Sequence, residues 1–312
     1  MLTLKDIELA HERIRPFIHR TPILTNSSLN ELVGANLFFK CENFQKAGSF
    51  KIRGATNTVE LLSESELKRG VATTSSGNHG AALSMAVTRR GGETKVVMPT
   101  NTPKIKVNNV IRNGGEVVWC EPDQKFRESV LREVVNETGA TVVHPYNDER
   151  IMAGQGTCAK EMLEDIPTLD IIVSPVSGGG LLSGTLIASK NMKNSIKVFG
   201  AEPDEADDAF QSLKHGKIIP NKTINTVCDG LRAEIGSKTF PVIQDLVDGI
   251  ETVSEKDILE SLRMIWERMK IIVEPSCSIS LAMVIKNSNL FKNKNVGLIM
   301  SGGNVNLNSL LW

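Results

Sequence analysis

Aromatic side chains are scarce in this chain of 312 residues: ten Phe, three Trp and a single Tyr. So few flat side chains exclude a base-stacking platform for single-stranded nucleic acid. A dominant charge is missing as well. Lys plus Arg and Asp plus Glu each total 36, which excludes a broad electrostatic grip on DNA, RNA or anionic lipid. The five cysteines (Cys41, Cys120, Cys158, Cys228 and Cys277) are scattered, with no CxxC pair. That excludes a disulfide framework or a zinc finger and predicts reduced, mostly buried thiols in the cytoplasm. No apolar run approaches the roughly 20 residues of a membrane helix. The start, Met1-Leu2-Thr3-Leu4-Lys5-Asp6, has no basic region followed by an apolar one, so no signal peptide is expected. The expectation is a soluble cytoplasmic protein with neither nucleic-acid nor membrane partners.

What is present suffices for a core. Hydrophobic residues make up 40% of the chain, which excludes a disordered polymer, and the length suits one large domain or two ordinary lobes. Short β-rich runs predict strands over 37–41, 71–74, 94–98, 116–119, 141–143, 171–174, 196–201 and 296–300. Between them, apolar residues at three- and four-residue steps predict helices over 50–62, 80–90, 126–138 and 151–164. Strands alternating with helices of this size predict an α/β protein with open, mostly parallel sheets, helices on both faces and ligands at the strands' carboxyl ends. No linker, repeat or low-complexity segment divides the chain. Two lobes then require the chain to leave one sheet and return to it. The division expected is a small lobe of residues 70–145 within a discontinuous large lobe of residues 1–69 plus 146–312.

Three glycine-bearing turns follow predicted strands. Ser177-Gly178-Gly179-Gly180 runs through Leu181 into a helix. Its glycines leave backbone N–H groups unshielded at the positive end of a helix dipole, which suits a phosphate. Two other readings use the same residues. One is a tight turn that needs glycine only for its conformation. The other is a dinucleotide cradle with Glu202 as the ribose acid, although Ser183 holds the third fingerprint position. The turn Ser75-Ser76-Gly77-Asn78-His79 offers two hydroxyls, an amide and N–H groups at a helix start, which suits a carboxylate. Its structural alternative is an N-cap on a permissive turn. Ser301-Gly302-Gly303-Asn304 repeats the pattern, so three turns point to one polyanionic ligand in one crevice. Lys51 sits between Phe50 and Ile52 where a helix opens. The helix dipole and partial burial there lower a lysine's pKa toward nucleophilic use; the alternative is a snorkelling surface lysine. The acidic stretch Glu202-Pro203-Asp204-Glu205-Ala206-Asp207-Asp208 reads either as a solvated turn or as a hard-oxygen site for Mg²⁺ or Ca²⁺.

Taken in order, Ser49-Phe50-Lys51-Ile52-Arg53-Gly54 and the turns at 75–80, 177–180 and 301–304 resemble the fold-type II pyridoxal-phosphate enzymes (tryptophan synthase β-like). The nearest branch is that of serine racemases and serine/threonine or 3-hydroxyaspartate dehydratases. The resemblance covers essentially the whole chain. It implies pyridoxal 5'-phosphate bound as a Schiff base to Lys51, with Phe50 against the pyridine ring and Asn78 at the 3-oxygen. It implies Ser177, Gly178, Gly179, Gly180 and Leu181 around the phosphate, Ser301 facing the ring nitrogen and Glu274 near the same edge. Relatives often carry glycine at the first cradle position, and a serine at 177 keeps the backbone donor. The substrate carboxylate is implied to settle on Ser75, Ser76, Gly77, Asn78 and His79, helped by Arg127, while Lys51 removes the α-proton. At position 76, racemases of this branch present a serine opposite the lysine, and many threonine dehydratases carry alanine. Dehydration of L-serine, L-threonine or 3-hydroxyaspartate, together with serine racemisation, is therefore implied. So are Mg²⁺ (or Ca²⁺ or Mn²⁺) on Glu202, the Ala206 carbonyl and Asp208, and a homodimer.

The chain departs from the resemblance in two places. Animal racemases hold a nucleotide with a lysine–threonine pair and a tyrosine, where this chain has Lys46-Ala47 and Asn113, so nucleotide activation does not carry over. Two readings from other classes stand beside this one: a nicotinamide-dependent oxidoreductase and a non-catalytic amino-acid sensor. A sensor would lack the lysine or the phosphate cradle, and this chain has both.

Overall fold

Ten strands carry the chain in the computed structural model, which describes residues 2–75, 77–122 and 124–308. They are β1 (Ile23–Leu24), β2 (Asn36–Cys41), β3 (Val71–Thr74), β4 (Thr94–Pro99), β5 (Gly115–Cys120), β6 (Thr141–Val142), β7 (Ile171–Pro175), β8 (Lys197–Pro203), β9 (Gly249–Val253) and β10 (Asn295–Met300). Six form one sheet in the order β1-β2-β10-β7-β8-β9, and four form a second in the order β5-β4-β3-β6. The β1–β2 pair is antiparallel; the other pairings among these strands are parallel. All eight strands expected from the sequence are found within two residues of their expected ends. The two unforeseen ones are β1, only two residues long, and β9, whose polar residues interrupt the apolar run.

Parallel strands covered on both faces read as continuous apolar runs, and this is why they were legible. Ile171 and Val173 of β7 pack into one core with Phe39, Leu298 and Met300, whereas Ile172 packs into another with Val198, Ile250 and Ile299. Consecutive residues of one strand thus enter cores on opposite faces, as the strand's two-residue period requires. The four expected helices are Lys51–Glu60, Asn78–Arg89, Gln124–Thr138 and Glu149–Asp165. All five cysteines are free and buried. Among the described residues, no helix is long and apolar enough to cross a membrane.

This topology gathers the candidate residues. The turn at 75–79 follows β3, the glycine run follows β7, the turn at 301–304 follows β10, and Pro145 and Tyr146 lie just beyond β6. In open α/β sheets such carboxyl-end loops form the ligand crevice.

Candidate active site

Lys51 opens its helix, and the residues before it are stitched to the turn after β10. Ser49 forms an antiparallel bridge with Gly302, Phe50 N–H donates to the Ser301 carbonyl at 3.0 Å, and Gly303 N–H donates to the Gly48 carbonyl at 2.9 Å. Held in this way, the Lys51 Nζ donates to the Pro145 carbonyl at 3.0 Å and stands 5.1 Å from the centre of the Phe50 ring. The amine is bonded to a protein carbonyl, contrary to the snorkelling alternative. Loss of hydration lowers Lys51 from 10.5 to about 8, against the opposing pull of Glu274.

Pro145 leads into Tyr146, whose ring lies on the triple-glycine turn. A Cβ placed on Gly178 would come within 2.4 Å of Tyr146 ring carbons, so only glycine admits this approach. Gly179 has φ +85° and caps the helix Gly180–Met192, while Ser177 takes a left-handed φ of 53° that non-glycine residues seldom adopt. The Gly178 carbonyl is anchored by Thr239 Oγ1 at 2.7 Å and by Gly236 N–H at 3.3 Å. The first N–H groups of the following helix have no intrahelical acceptor, and they lie at the positive end of its dipole. The Lys51 amine and the glycine turn therefore flank one dipeptide, Pro145-Tyr146. The sequence reading passed over Tyr146, the chain's only tyrosine; its place just past the predicted strand 141–143 was the available signal.

A polar chain closes the other side. Asn78 Nδ2 donates to Glu274 Oε1 at 2.8 Å, and Asn304 Nδ2 donates to Asn78 Oδ1 at 2.9 Å and to the Ala47 carbonyl at 2.8 Å. Asn78 Nδ2 keeps a second hydrogen for a ligand. Burial, reinforced by Asp229, raises Glu274 to about 8. Asp229 is ion-paired with Lys106, and Lys106 lines a cavity of about 200 Å³ with Gly77, Asn78 and Asn304. Ser301 is buried at the foot of this network.

The turn after β3 behaves partly as its structural alternative required. Ser75 Oγ accepts from Gly77 N–H at 3.2 Å and Gly80 N–H at 3.0 Å, so this hydroxyl caps the helix Asn78–Arg89. His79 is buried, with Nε2 3.2 Å from the Val143 carbonyl. Burial and the nearby Lys51 lower it to about 3, so it is neutral. Ser76 lies outside the described residues. Arg127 Nη2 donates to the Pro122 carbonyl at 3.3 Å, in the loop after β5. Among the hydrogen bonds of the described residues, none joins Arg127 to the turn at 75–79.

Glu202 and Asp208 stand behind the glycine turn. Glu202 is buried, its Oε2 accepts from Phe210 N–H at 2.8 Å, and its Oε1 has no partner. Asp208 accepts from Asn221 Nδ2 at 2.9 Å and from Ile235 N–H at 2.6 Å. Its neighbour Gly236 reaches the Gly178 carbonyl. Burial raises both carboxyls, Asp208 to about 6, and Asp208 adds to the rise at Glu202. Ala206 is buried beside them. No cluster of three or more His, Cys, Asp or Glu side chains fit for a metal occurs among the described residues. The dinucleotide reading fails here, because Glu202 is turned inward onto backbone and Ser183 Oγ donates to the Thr239 carbonyl in the core.

A lysine amine and a glycine turn on either side of Pro145-Tyr146, with an asparagine and a buried carboxyl closing the other side, suit a phosphorylated aldehyde cofactor. The chain belongs to the pyridoxal-phosphate dependent enzyme family, whose model matches residues 14–302. It is 51% identical to a serine racemase of Arabidopsis thaliana, covering 98% of this chain and 94% of the relative. It is 47% identical to a beta-hydroxyaspartate dehydratase of Paracoccus denitrificans, covering 99% and 98%. Among solved structures, maize serine racemase superposes with a TM-score of 0.96 at 44% identity, covering 98% of this chain and 95% of that one. A threonine deaminase of T.th. superposes with a TM-score of 0.94 at 38% identity, covering 98% and 99%.

Proposed function

We propose that this protein is a pyridoxal-phosphate-dependent enzyme that removes water and ammonia from a β-hydroxy amino acid (L-serine, L-threonine or 3-hydroxyaspartate) to leave a keto acid, and that it racemises serine. The observation that carries this reading is the Lys51 amine at 3.0 Å from the carbonyl of Pro145, whose neighbour Tyr146 lies on the triple-glycine turn. Full-length similarity to a serine racemase and to a beta-hydroxyaspartate dehydratase supports the reaction class.

Lys51 would carry the cofactor, Phe50 would pack against its ring, and residues 177–181 would hold its phosphate. When bound, pyridoxal phosphate supplies the electron sink that stabilises negative charge at the substrate's Cα. The protein supplies the rest. Lys51, lowered to about 8, has a neutral amine within reach of physiological pH and can accept the α-proton. Helix Asn78–Arg89 presents the N–H groups of its first turn to the substrate carboxylate. Ser301 would offer the ring nitrogen a hydroxyl, which, unlike an aspartate, does not hold that nitrogen protonated. Lys51 and Ser76 acting as a pair would give deprotonation from one face of Cα and reprotonation from the other. Arg127 would add a cation for the substrate carboxylate.

An oxygen-coordinated dication, Mg²⁺ or its Ca²⁺ or Mn²⁺ equivalents, suits the Glu202, Ala206 and Asp208 group. The buried Oε1 of Glu202 lacks a partner, and hard carboxylate and carbonyl oxygens fit such an ion. It would brace the glycine turn through Ile235 and Gly236. We further take residues 70–145 as the small lobe of a homodimeric enzyme, and the five free, buried thiols support a reducing compartment.

The test is a product assay on purified enzyme with each candidate substrate, with Mg²⁺ and with EDTA, scoring keto acid and D-serine separately. Formation of neither product from any of the three substrates refutes the proposal.

A further inference from the structure

Two residues beyond Lys51, Arg53 is completely buried, and its five N–H donors are all used. Nε and Nη2 donate to the two oxygens of Glu42 at 2.7 and 2.8 Å. Nη1 and Nη2 donate to the two oxygens of Glu161 at 2.8 Å each, and Nη1 also donates to Thr157 Oγ1 at 3.0 Å. Lys40, equally buried, donates to Glu161 at 2.7 Å and to the Thr21 carbonyl at 2.8 Å. Two cations face two carboxylates, so the cluster is neutral. His11, 3.9 Å from Glu161, has its pKa lowered by burial and leaves that balance intact.

The cluster joins elements that set the position of the reactive amine. Lys40 is on β2 and Glu42 is in the turn after it. Arg53 is on the helix that Lys51 opens, while Thr157 and Glu161 are on the helix Glu149–Asp165. That second helix begins four residues after Pro145, whose carbonyl receives the Lys51 Nζ. The two helices nearly touch: a Cβ on Gly154 would lie 2.5 Å from the Gly54 Cα, and Gly54 N–H donates to Gln155 Oε1 at 3.1 Å. Net stability is a weak explanation for so elaborate a cluster, because desolvation offsets most of the attraction within a buried ion group. What a saturated, planar guanidinium supplies is geometry, since it fixes two carboxylates in one plane.

We propose that Arg53 is a positioning residue for Lys51. By bridging Glu42 and Glu161 it fixes the depth and rotation of the first turn of its helix, and with them the place of Nζ between the Pro145 carbonyl and the triple-glycine turn. The proposal rests on Lys51 being the cofactor-bearing amine. A lysine at 53 keeps the charge but has one nitrogen, so it cannot hold both carboxylates bidentately.

The test compares holoenzymes of the wild type, Arg53→Lys and the milder Thr157→Val, which removes one of the five bonds. Three quantities are read: the thermal midpoint, the pH titration of the bound cofactor's visible absorbance, and the rate at which cofactor is lost on dilution. Borohydride reduction followed by peptide mapping locates the labelled lysine. In Arg53→Lys the titration midpoint should move by about one pH unit, and cofactor loss should quicken by about tenfold, the scale of effects on supporting groups around a site. Thr157→Val should change both in the same direction by a smaller factor. If the thermal midpoint falls in either variant while titration and cofactor loss stay at wild-type values, Arg53 serves stability alone and the inference is overturned. If reduction of the wild type labels a residue other than Lys51, the functional reading itself fails.

Discussion

Lys51 carries a measurable folding cost in the cofactor-free protein, and its dependence on pH has a definite sign. The amine is lowered from 10.5 to about 8 because the folded chain strips water from it. Below about pH 8 both the folded and unfolded chains hold the proton, and the folded state bears the whole cost of the buried ammonium. Between about 8 and 10.5 the unfolded chain keeps a proton that the folded chain has released, so stability rises with pH across that window. The lowering amounts to about 3 kcal/mol at most, an upper figure because the side chain is only partly buried. Glu274, raised from 4.5 to about 8, acts in the adjacent window: its folding advantage is complete below 4.5 and is lost as pH rises through about 8. The buried cysteines, raised from 9.0 by burial, act in the alkaline window with the opposite sign, so the contribution of Lys51 is read as a difference between wild type and a variant that lacks the amine. Lys51→Met keeps the length of the side chain and removes the charge. Urea titrations of the cofactor-free full chain should show this variant more stable than wild type near neutral pH by up to about 3 kcal/mol, with the gap closing as pH approaches about 10.5. A gap that stays constant from pH 8 to 10.5, or a wild type that is the more stable at neutral pH, would falsify the assignment of a desolvated amine at this position.

The remaining predictions follow from single contacts. Gly178→Ala sets a Cβ within 2.4 Å of the Tyr146 ring; such overpacking costs about 1–3 kcal/mol, and the variant should lose its visible cofactor absorbance on dialysis, whereas full retention would show that the ring does not bear on the turn. Mg²⁺ should raise the thermal midpoint of the wild type, and Glu202→Gln, which keeps the shape without the charge, should match wild type in EDTA and gain nothing from the ion. An equal gain in both proteins would remove Glu202 from the metal site. Ser76→Ala should leave keto-acid formation in place while cutting D-serine formation by about a hundredfold, the usual scale for a lost acid–base group. Unchanged D-serine output would assign reprotonation to another donor.

Local chemistry made much of this protein legible. Strands such as β7 and β10 are apolar at successive positions because both faces of a parallel sheet are covered, and that pattern survives in one dimension. Glycine runs at 178–180 and at 302–303 mark places where side chains would block backbone, and Lys51 stood out through its motif at a helix opening together with the resemblance that the three turns share with it, since its flanking residues alone left a surface lysine open. The site's other half was not legible. Tyr146 lies against Gly178, 32 positions away, and Asn78 bonds to Glu274, 196 positions away; no periodicity or motif records a contact of that kind. Ser177 occupies a left-handed φ that its residue type argues against, and Ser75 spends its hydroxyl on a helix cap.

By itself, then, the order of residues determined which segments become strands and helices and where glycine leaves the backbone unshielded, and it offered Lys51 as a candidate amine, because each of these depends on near neighbours in the chain. Only the tertiary structure decided that the amine meets the Pro145 carbonyl, that Arg53 is saturated by Glu42 and Glu161, and that burial holds Lys51 and Glu274 near about 8. Desolvation and hydrogen-bond geometry arise from groups brought together from distant parts of the chain, and they come into being only when the two sheets and their helices have packed.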